Sequence, residues 1–248
     1  MNEKYGIQIQ NLRKEFGSKV AVNDININIK EGQLFSMLGV NGAGKTTTIR
    51  MLMGLSKPTS GDALVMGHSI LTELSAVKQI SNFSPQETSV APNLTVRENL
   101  EFFAKIYGAD KEKASKLVEE MIEKFSLQEV EKSKAKTLSG GWQRKLSIAM
   151  ALISSPKVLF LDEPTLGLDV LARRELWSII EKLKGNMTIV LTTHYMEEAE
   201  QLSDEIAIMV NGEIKAHGTL EEMKRITGKD NLEDAFVSIA EGSGKTEV

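Results

Sequence analysis

Gly39-Val40-Asn41-Gly42-Ala43-Gly44-Lys45-Thr46 follows the mostly apolar run Leu34-Phe35-Ser36-Met37-Leu38 and precedes a helical pattern with Ile49, Leu52 and Met53 on one side. The stretch matches G-x-x-x-x-G-K-[ST] at every fixed position. Glycines let backbone N–H groups turn inward and approach phosphate oxygens. The helix that starts there adds its positive end to the same anion site. Lys45 is placed to reach the β- and γ-phosphates of a nucleoside triphosphate, and the Thr46 hydroxyl, followed by Thr47, to ligate Mg²⁺. A glycine turn that merely links strand to helix is the plainer reading, but an apolar strand before and a helix after supply the context that phosphate binding requires. A similar stretch, Gly242-Ser243-Gly244-Lys245-Thr246, has Ile239 where the first glycine belongs and no strand closely before it. It receives no function, and residues 242–248 read as a disordered tail.

A triphosphatase also needs a carboxylate near Mg²⁺ and a base for water. Asp162 and Glu163 follow the continuous apolar run Val158-Leu159-Phe160-Leu161, which reads as a central parallel strand covered on both faces. Sites in open parallel sheets lie at the C-terminal strand edge. Asp162 is therefore expected to help hold Mg²⁺, and Glu163 to polarise the attacking water. Alone, an acidic pair before Pro164 is a solvated turn; the upstream phosphate loop favours the functional reading.

Further out, Ile25, Ile27 and Ile29 alternate with Asn26 and Asn28, as in a half-buried strand. The middle changes period. Thr95-Val96-Arg97-Glu98 is a capping box; Val96, Leu100, Phe103 and Tyr107 follow at helical spacing. A second helix carries Ala114, Leu117, Val118, Met121, Ile122 and Phe125 on one stripe, and a third runs from about Gly141 to Ser154. No strand pattern interrupts residues 93–155, so a helical subdomain is inserted into an α/β core. Strand patterns resume at 188–193 and 206–210, with a helix bearing Leu176, Ile179, Ile180 and Leu183 before them. Thr219-Leu220-Glu221-Glu222 opens a short terminal helix with a second capping box. The division is one domain over 1–240: core residues 1–86 and 156–225, helical residues 87–155, then a short helix and tail over 226–248.

Composition sets outer bounds. The 248 residues, 41% hydrophobic and 26% charged, suit one sizeable globular domain. Thirty Lys+Arg against 34 Asp+Glu give a net charge of −4, so no nucleic-acid footprint is expected. With no cysteine, disulfides and thiolate metal sites are excluded. Residues 1–8 lack a signal-peptide core, and the longest apolar runs are too short to cross a bilayer. The chain reads as soluble and cytoplasmic, and a role at a membrane requires another polypeptide to span it.

Leu138-Ser139-Gly140-Gly141, followed by Trp142-Gln143-Arg144-Lys145, resembles the signature of the ABC ATPase family, and the resemblance covers nearly the whole chain. It implies a P-loop NTPase (RecA-like) core with a mostly parallel sheet, an N-terminal antiparallel β subdomain and an inserted α-helical subdomain. It also implies that Ser139, Gly140 and Gly141, at a helix N-terminus, contact the γ-phosphate of ATP bound by the opposite subunit. The fifth signature position is usually Gln; here it is Trp142. Other positions match one by one. Phe16 stands where the family stacks an aromatic ring on adenine. Gln86 matches the loop glutamine that meets Mg²⁺ and the attacking water. Asp169, in Leu166-Gly167-Leu168-Asp169, matches the loop that crosses the dimer interface. His194 matches the histidine that contacts the γ-phosphate. His68 and His217 have no such match and read as structural.

The resemblance implies that two copies, or this chain and a paralogue, close head to tail on ATP-Mg²⁺ and drive separate transmembrane permease subunits, with the chain peripheral on the cytoplasmic face. The likeness is strongest to exporter ATPases paired with ABC-2 membrane proteins, through Leu166-Gly167-Leu168-Asp169, Glu197-Glu198-Ala199-Glu200-Gln201-Leu202 and Asn231-Leu232-Glu233-Asp234-Ala235-Phe236. The short stretch beyond the core also leans towards export. The alternative is a soluble ABC ATPase acting on nucleic acid or ribosomes. Chromosome-associated relatives carry a long coiled coil between the two motifs, whereas fewer than a hundred residues without sustained heptads separate Lys45 from Ser139. Ribosome-associated relatives carry two cassettes, whereas one set of motifs is present here.

Overall fold

In the computed structural model, residues 4–242 are described. Of the expected tail at 242–248, all but Gly242, and with it most of the second glycine-lysine stretch, lies outside them.

Two long strands, β1 (Tyr5–Phe16) and β2 (Lys19–Lys30), pair antiparallel, with Ile7, Ile9 and Leu12 opposite Ile29, Ile27 and Ile25. The alternation of isoleucine with asparagine and aspartate in β2 puts one face into a core and leaves the other in solvent. After β3 (Leu34–Leu38) and α1 (Lys45–Leu52), β4 (Ser60–Val65) joins the free edge of β1, and the two-residue β5 (His68–Ser69) pairs with β4. The first sheet is thus β2-β1-β4-β5, all antiparallel. A short helix, α2 (Leu74–Ile80), leads into β6 (Ser81–Ser84).

Residues 87–155 hold α3 (Val96–Ile106), α4 (Lys111–Lys124), two short 3-10 turns and α5 (Gly140–Leu152). Thr95 and Glu98 form the reciprocal capping box that starts α3. The rest follows as β7 (Val158–Asp162), α6 (Val170–Glu181), β8 (Thr188–Thr193), α7 (Met196–Leu202), β9 (Glu205–Val210), β10 (Glu213–Gly218), α8 (Leu220–Thr227) and α9 (Leu232–Ala240). Residue 225, the expected end of the core, falls inside α8.

The second sheet runs β10-β9-β3-β8-β7-β6; all its pairs are parallel except β10 with β9. Every residue of β3, β7 and β8 is buried. Alternate side chains enter different cores. Leu34, Leu159, Leu161, Ile189 and Leu191 pack with α3 to α6 on one face, while Phe35, Met37, Val158, Phe160 and Val190 pack on the other with α1 and the antiparallel sheet. A third cluster joins Leu38, Ile206 and Ile208 to α7, α8 and α9. Removing one of these fully buried side chains, as in Leu159→Ala, costs about 2–5 kcal/mol.

One element is shorter than its pattern suggests. The apolar spacing extends to Leu55, but α1 ends at Leu52. Gly54 adopts φ +65°, its N–H bonds to Met51 O, and the Leu55 N–H bonds to Arg50 O. This paired closure satisfies the last carbonyls and turns the chain away.

Register is what builds the site. Leu38 lies opposite Thr193, Asp162 opposite Thr192, and Ser84 opposite Leu161. The C-terminal ends of β3, β6, β7 and β8 therefore share one edge, and the loops after them converge.

Candidate functional site

The loop from Gly39 to Gly44 follows β3, and its glycines are required for different reasons. A Cβ on Gly39 would sit 2.4 Å from Met209 O, and one on Gly44 would sit 2.5 Å from Ala21 O. Gly42 has open space around it but takes φ +83°, where a side chain is strained. The neighbouring Ala43 holds the loop in place by accepting from the Gly212 N–H at 2.9 Å. The cradle is thus set by backbone proximity to β9 and β2. Gly44, at φ +112°, is the N-cap of α1, so the first N–H groups of α1 open into the loop.

Lys45 is almost wholly buried. Its Nζ donates to Gly39 O at 2.6 Å and Val40 O at 3.3 Å, and lies 3.3 Å from Glu163 Oε1. The other Glu163 oxygen is 2.7 Å from His194 Nδ1. One carboxylate thus bridges the lysine of the phosphate loop and the histidine after β8. Glu163 itself takes φ +49°, an unusual conformation for a side chain of that size. Such strain costs on the order of 1–3 kcal/mol and collects at functional sites. It is held by the Glu163 N–H, which donates to Thr192 O at 3.0 Å and to Thr192 Oγ1 at 3.1 Å.

Asp162 turns the other way. Its Oδ1 accepts from Thr46 Oγ1 at 2.9 Å and from the Thr192 hydroxyl. Thr46, Asp162 and Gln86 offer hard oxygen donors at one cleft. Among the described residues no group of three or more His, Cys, Asp or Glu could cage a metal. That sparse oxygen set fits Mg²⁺, which takes one or two protein oxygens and completes its shell with water and phosphate.

The cleft has a volume of about 380 Å³ and is lined by Phe16, Lys19, Ala21, residues 41–47, Gln86 and Glu163. Phe16, at the end of β1, is 54% exposed; the Lys14 ammonium lies 4.8 Å from its ring centroid, which leaves the opposite face for a ligand. Gln86 is fixed from behind. Arg144, on α5, donates to Pro85 O at 2.7 Å and also to Gln86 O. Asn82 bonds Ala151 O and Ser154, and Ser84 lies 3.0 Å from the Ser147 hydroxyl. The segment carrying Gln86 is thus fastened along the whole of α5. Burial draws the Arg144 guanidinium below its ordinary pKa, opposed by attraction to Asp162 and Glu198.

Ser139, Gly140, Gly141 and Asp169 do not line this cleft. Ser139 is the exposed N-cap of α5, and its hydroxyl makes no capping bond. Asp169, also exposed, caps α6 by accepting from Leu171 N and Ala172 N at 2.9 and 3.0 Å. The two helix starts adjoin, since a Cβ on Gly141 would sit 3.4 Å from that of Ala172. Trp142 packs at 4.3 Å over the ammonium of Lys145, which is paired with Glu175 of α6. His68 bonds Glu73, and His217 is exposed on β10; neither lines the cleft. Thr192 and Arg144 were not legible as site residues. Thr192 sits inside an ordinary strand pattern, and Arg144 reads as one more helix cation. Only the pairing of strands and the packing of α5 bring them to Asp162 and Gln86.

A glycine cradle at a helix start, a buried lysine, and a threonine–aspartate pair beside a glutamate, on the C-terminal edge of a parallel sheet, define a P-loop nucleoside triphosphatase. The sequence profile of the family described as ABC transporter matches residues 22–166. The chain belongs to that family, as an ATP-binding cassette. It is 45% identical over 218 residues to the human protein named phospholipid-transporting ATPase ABCA3, covering 86% of this chain and 13% of that protein. It therefore spans a small part of the length of such relatives. A structure described as the ATP binding subunit of an ABC transporter superposes with a TM-score of 0.84 at 27% identity, over 94% of this chain and 98% of the other. The ATP-binding cassette MJ0796, described as dimeric in a post-hydrolysis state with ADP and Pi, superposes at 0.78 and 27% identity, over 86% and 98% of the two chains.

Proposed function

We propose that this chain is the ATP-hydrolysing motor of a membrane transporter, of the export type, and that two copies, or this chain and a paralogue, close head to tail on ATP-Mg²⁺. The observation that carries the reading is the bridge from Lys45 through Glu163 to His194 at the mouth of the glycine cradle. Residues 39–47 bind the phosphates through N–H groups and the Lys45 ammonium, and Phe16 stacks on adenine. Thr46, Asp162 and Gln86 hold Mg²⁺, which neutralises charge on the phosphate oxygens. Glu163 takes the proton of the attacking water, and His194 orients Glu163 and faces the γ-phosphate. Ser139, Gly140 and Gly141 serve the site of the opposite copy, consistent with the exposure of Ser139 and Gly140 and with none of the three lining this chain's own cleft. The dimeric state in the description of MJ0796 supports the paired arrangement. Among the described residues no helix is long and apolar enough to cross a membrane. Export rests on the likeness of Leu166-Gly167-Leu168-Asp169 and the Glu197–Leu202 stretch to exporter cassettes. The segment around Gln86, fastened to α5, is where a cytoplasmic helix of the membrane partner docks.

The test is a tagged Glu163→Gln chain, trapped with ATP-Mg²⁺ and recovered from detergent-solubilised membranes of the source cell. A stoichiometric multi-spanning protein is the expected result. Recovery of nucleic acid or ribosomes instead would leave the ATPase standing and overturn the transporter reading.

A further inference from the structure

Glu198, on α7, has no accessible surface, and the proposed chemistry does not use it. Its Oε1 accepts from Thr165 Oγ1 at 2.8 Å and from Trp177 Nε1 at 3.0 Å. Its Oε2 is buried and makes no well-formed hydrogen bond, although the Thr193 hydroxyl lies near enough to favour the charged form. A carboxylate charge placed there would be poorly solvated. Burial accordingly raises its pKa, opposed by Thr193, Thr165 and Trp177 and reinforced by the nearby Glu163 charge. The surroundings favour a neutral acid.

Three elements meet at this carboxyl. Thr165 lies two residues after Glu163, in the turn that follows β7. Trp177 is on α6, the helix that Asp169 starts. Glu198 is four residues after His194. The ion pair between α6 and α7, Arg173 with Glu197, is long at 3.7 Å and has a mostly exposed glutamate, so it contributes little. The buried tie between the turn bearing Glu163 and the helix behind His194 is Glu198.

We propose that Glu198 is a positioning residue for ATP hydrolysis: by accepting from Thr165 and Trp177 it locks α7, and with it His194, against the turn that carries Glu163. This rests on the roles proposed above for Glu163 and His194. A shift of the supporting helix misplaces the histidine relative to the base, and a misplacement of about 1 Å can cost about a hundredfold in rate.

The experiment measures kcat, KM for ATP and thermal unfolding for Glu198→Gln, Glu198→Leu, Thr165→Val and Trp177→Phe, each in the native and His194→Ala backgrounds. Glu198→Leu lowers kcat about tenfold or more with KM little changed. Glu198→Gln keeps an acceptor oxygen and stays within about threefold of native. Thr165→Val and Trp177→Phe each remove one donor and lower kcat by smaller factors, and they carry the test if Glu198→Leu does not fold. In His194→Ala the Glu198→Leu change has little further effect, because both act through one group. Native kcat in Glu198→Leu, equal losses in both backgrounds, or a Gln variant as impaired as Leu overturns the proposal. If His194→Ala itself turns over at the native rate, the role of His194 falls and this inference falls with it. An impaired His194→Ala with additive Glu198→Leu overturns this inference alone.

Discussion

The starts of α1 and α5 are both glycine-rich helix N-termini, and their surroundings differ. At α1, Gly44 caps the helix, Lys45 is buried against Gly39, Val40 and Glu163, and Thr46 meets Asp162. At α5, Ser139 and Gly140 face solvent, Ser139 makes no side-chain cap bond and the first turn holds no acidic residue. Both carry the positive end of a helix, yet among the described residues the buried lysine and carboxylates gather at the first. A half-built anion site of this kind suits a second copy that brings the nucleotide with it. That physical contrast, more than the spelling of either motif, supports the head-to-tail arrangement proposed here.

The strongest way to break the contrast is to disable each half separately. Lys45→Ala and Ser139→Arg should each lower ATP turnover by about a hundredfold or more. Equimolar mixing should restore turnover, since a mixed pair holds one site with native Lys45 and native Ser139. Mixtures as inactive as their components would sink the head-to-tail arrangement. Glu163→Gln should bind ATP normally and hydrolyse it about 10²–10⁴-fold more slowly, checked by single-turnover kinetics beside a binding titration; normal turnover removes Glu163 as the base.

Smaller effects sharpen what Ser139 is for. Thr95, Asp110, Asp169, Thr219 and Asn231 each accept a capping bond from their own helices, whereas Ser139 makes none. Thr95→Ala should cost about 1 kcal/mol of unfolding free energy with turnover unchanged. Ser139→Ala should leave stability within about 0.5 kcal/mol and still slow turnover. Urea unfolding beside an ATPase assay separates the two, and the reverse pattern would make Ser139 an ordinary cap.

The gentlest readout is a slope with pH on the complete half-site. Burial holds Glu198 above the ordinary carboxylate range, so the folded chain keeps a proton that the unfolded chain releases. The matching stability is present below the unfolded pKa and lost as pH rises through the folded one. Glu198→Gln lacks that loss, so its stability relative to the native chain should increase with pH. Parallel unfolding curves for the two chains across that range would mean the carboxyl is not protonated in the fold.

Much was legible along the chain because the signals are local. The glycine-lysine loop between an apolar run and a helical period, the Asp162-Glu163 pair after Val158–Leu161, and both capping boxes depend on neighbours a few residues apart. The stretch over 60–84 carries no such local signal. There β4, β5, α2 and β6 are short; β4 takes its form from pairing with β1, β5 from β4, and the mostly buried β6 from β7.

By itself the sequence determined the phosphate loop, the carboxylates beside it, the helical insertion and the family, since each is written in residue type and spacing. Tertiary structure alone decided that Thr192 shares Asp162 with Thr46, that Arg144 grips the Gln86 segment, and that Glu198 joins α7 to the Glu163 turn. These contacts bridge 30 or more residues. They exist because parallel strands in register carry distant loops to one edge, and no spacing along the chain records that encounter.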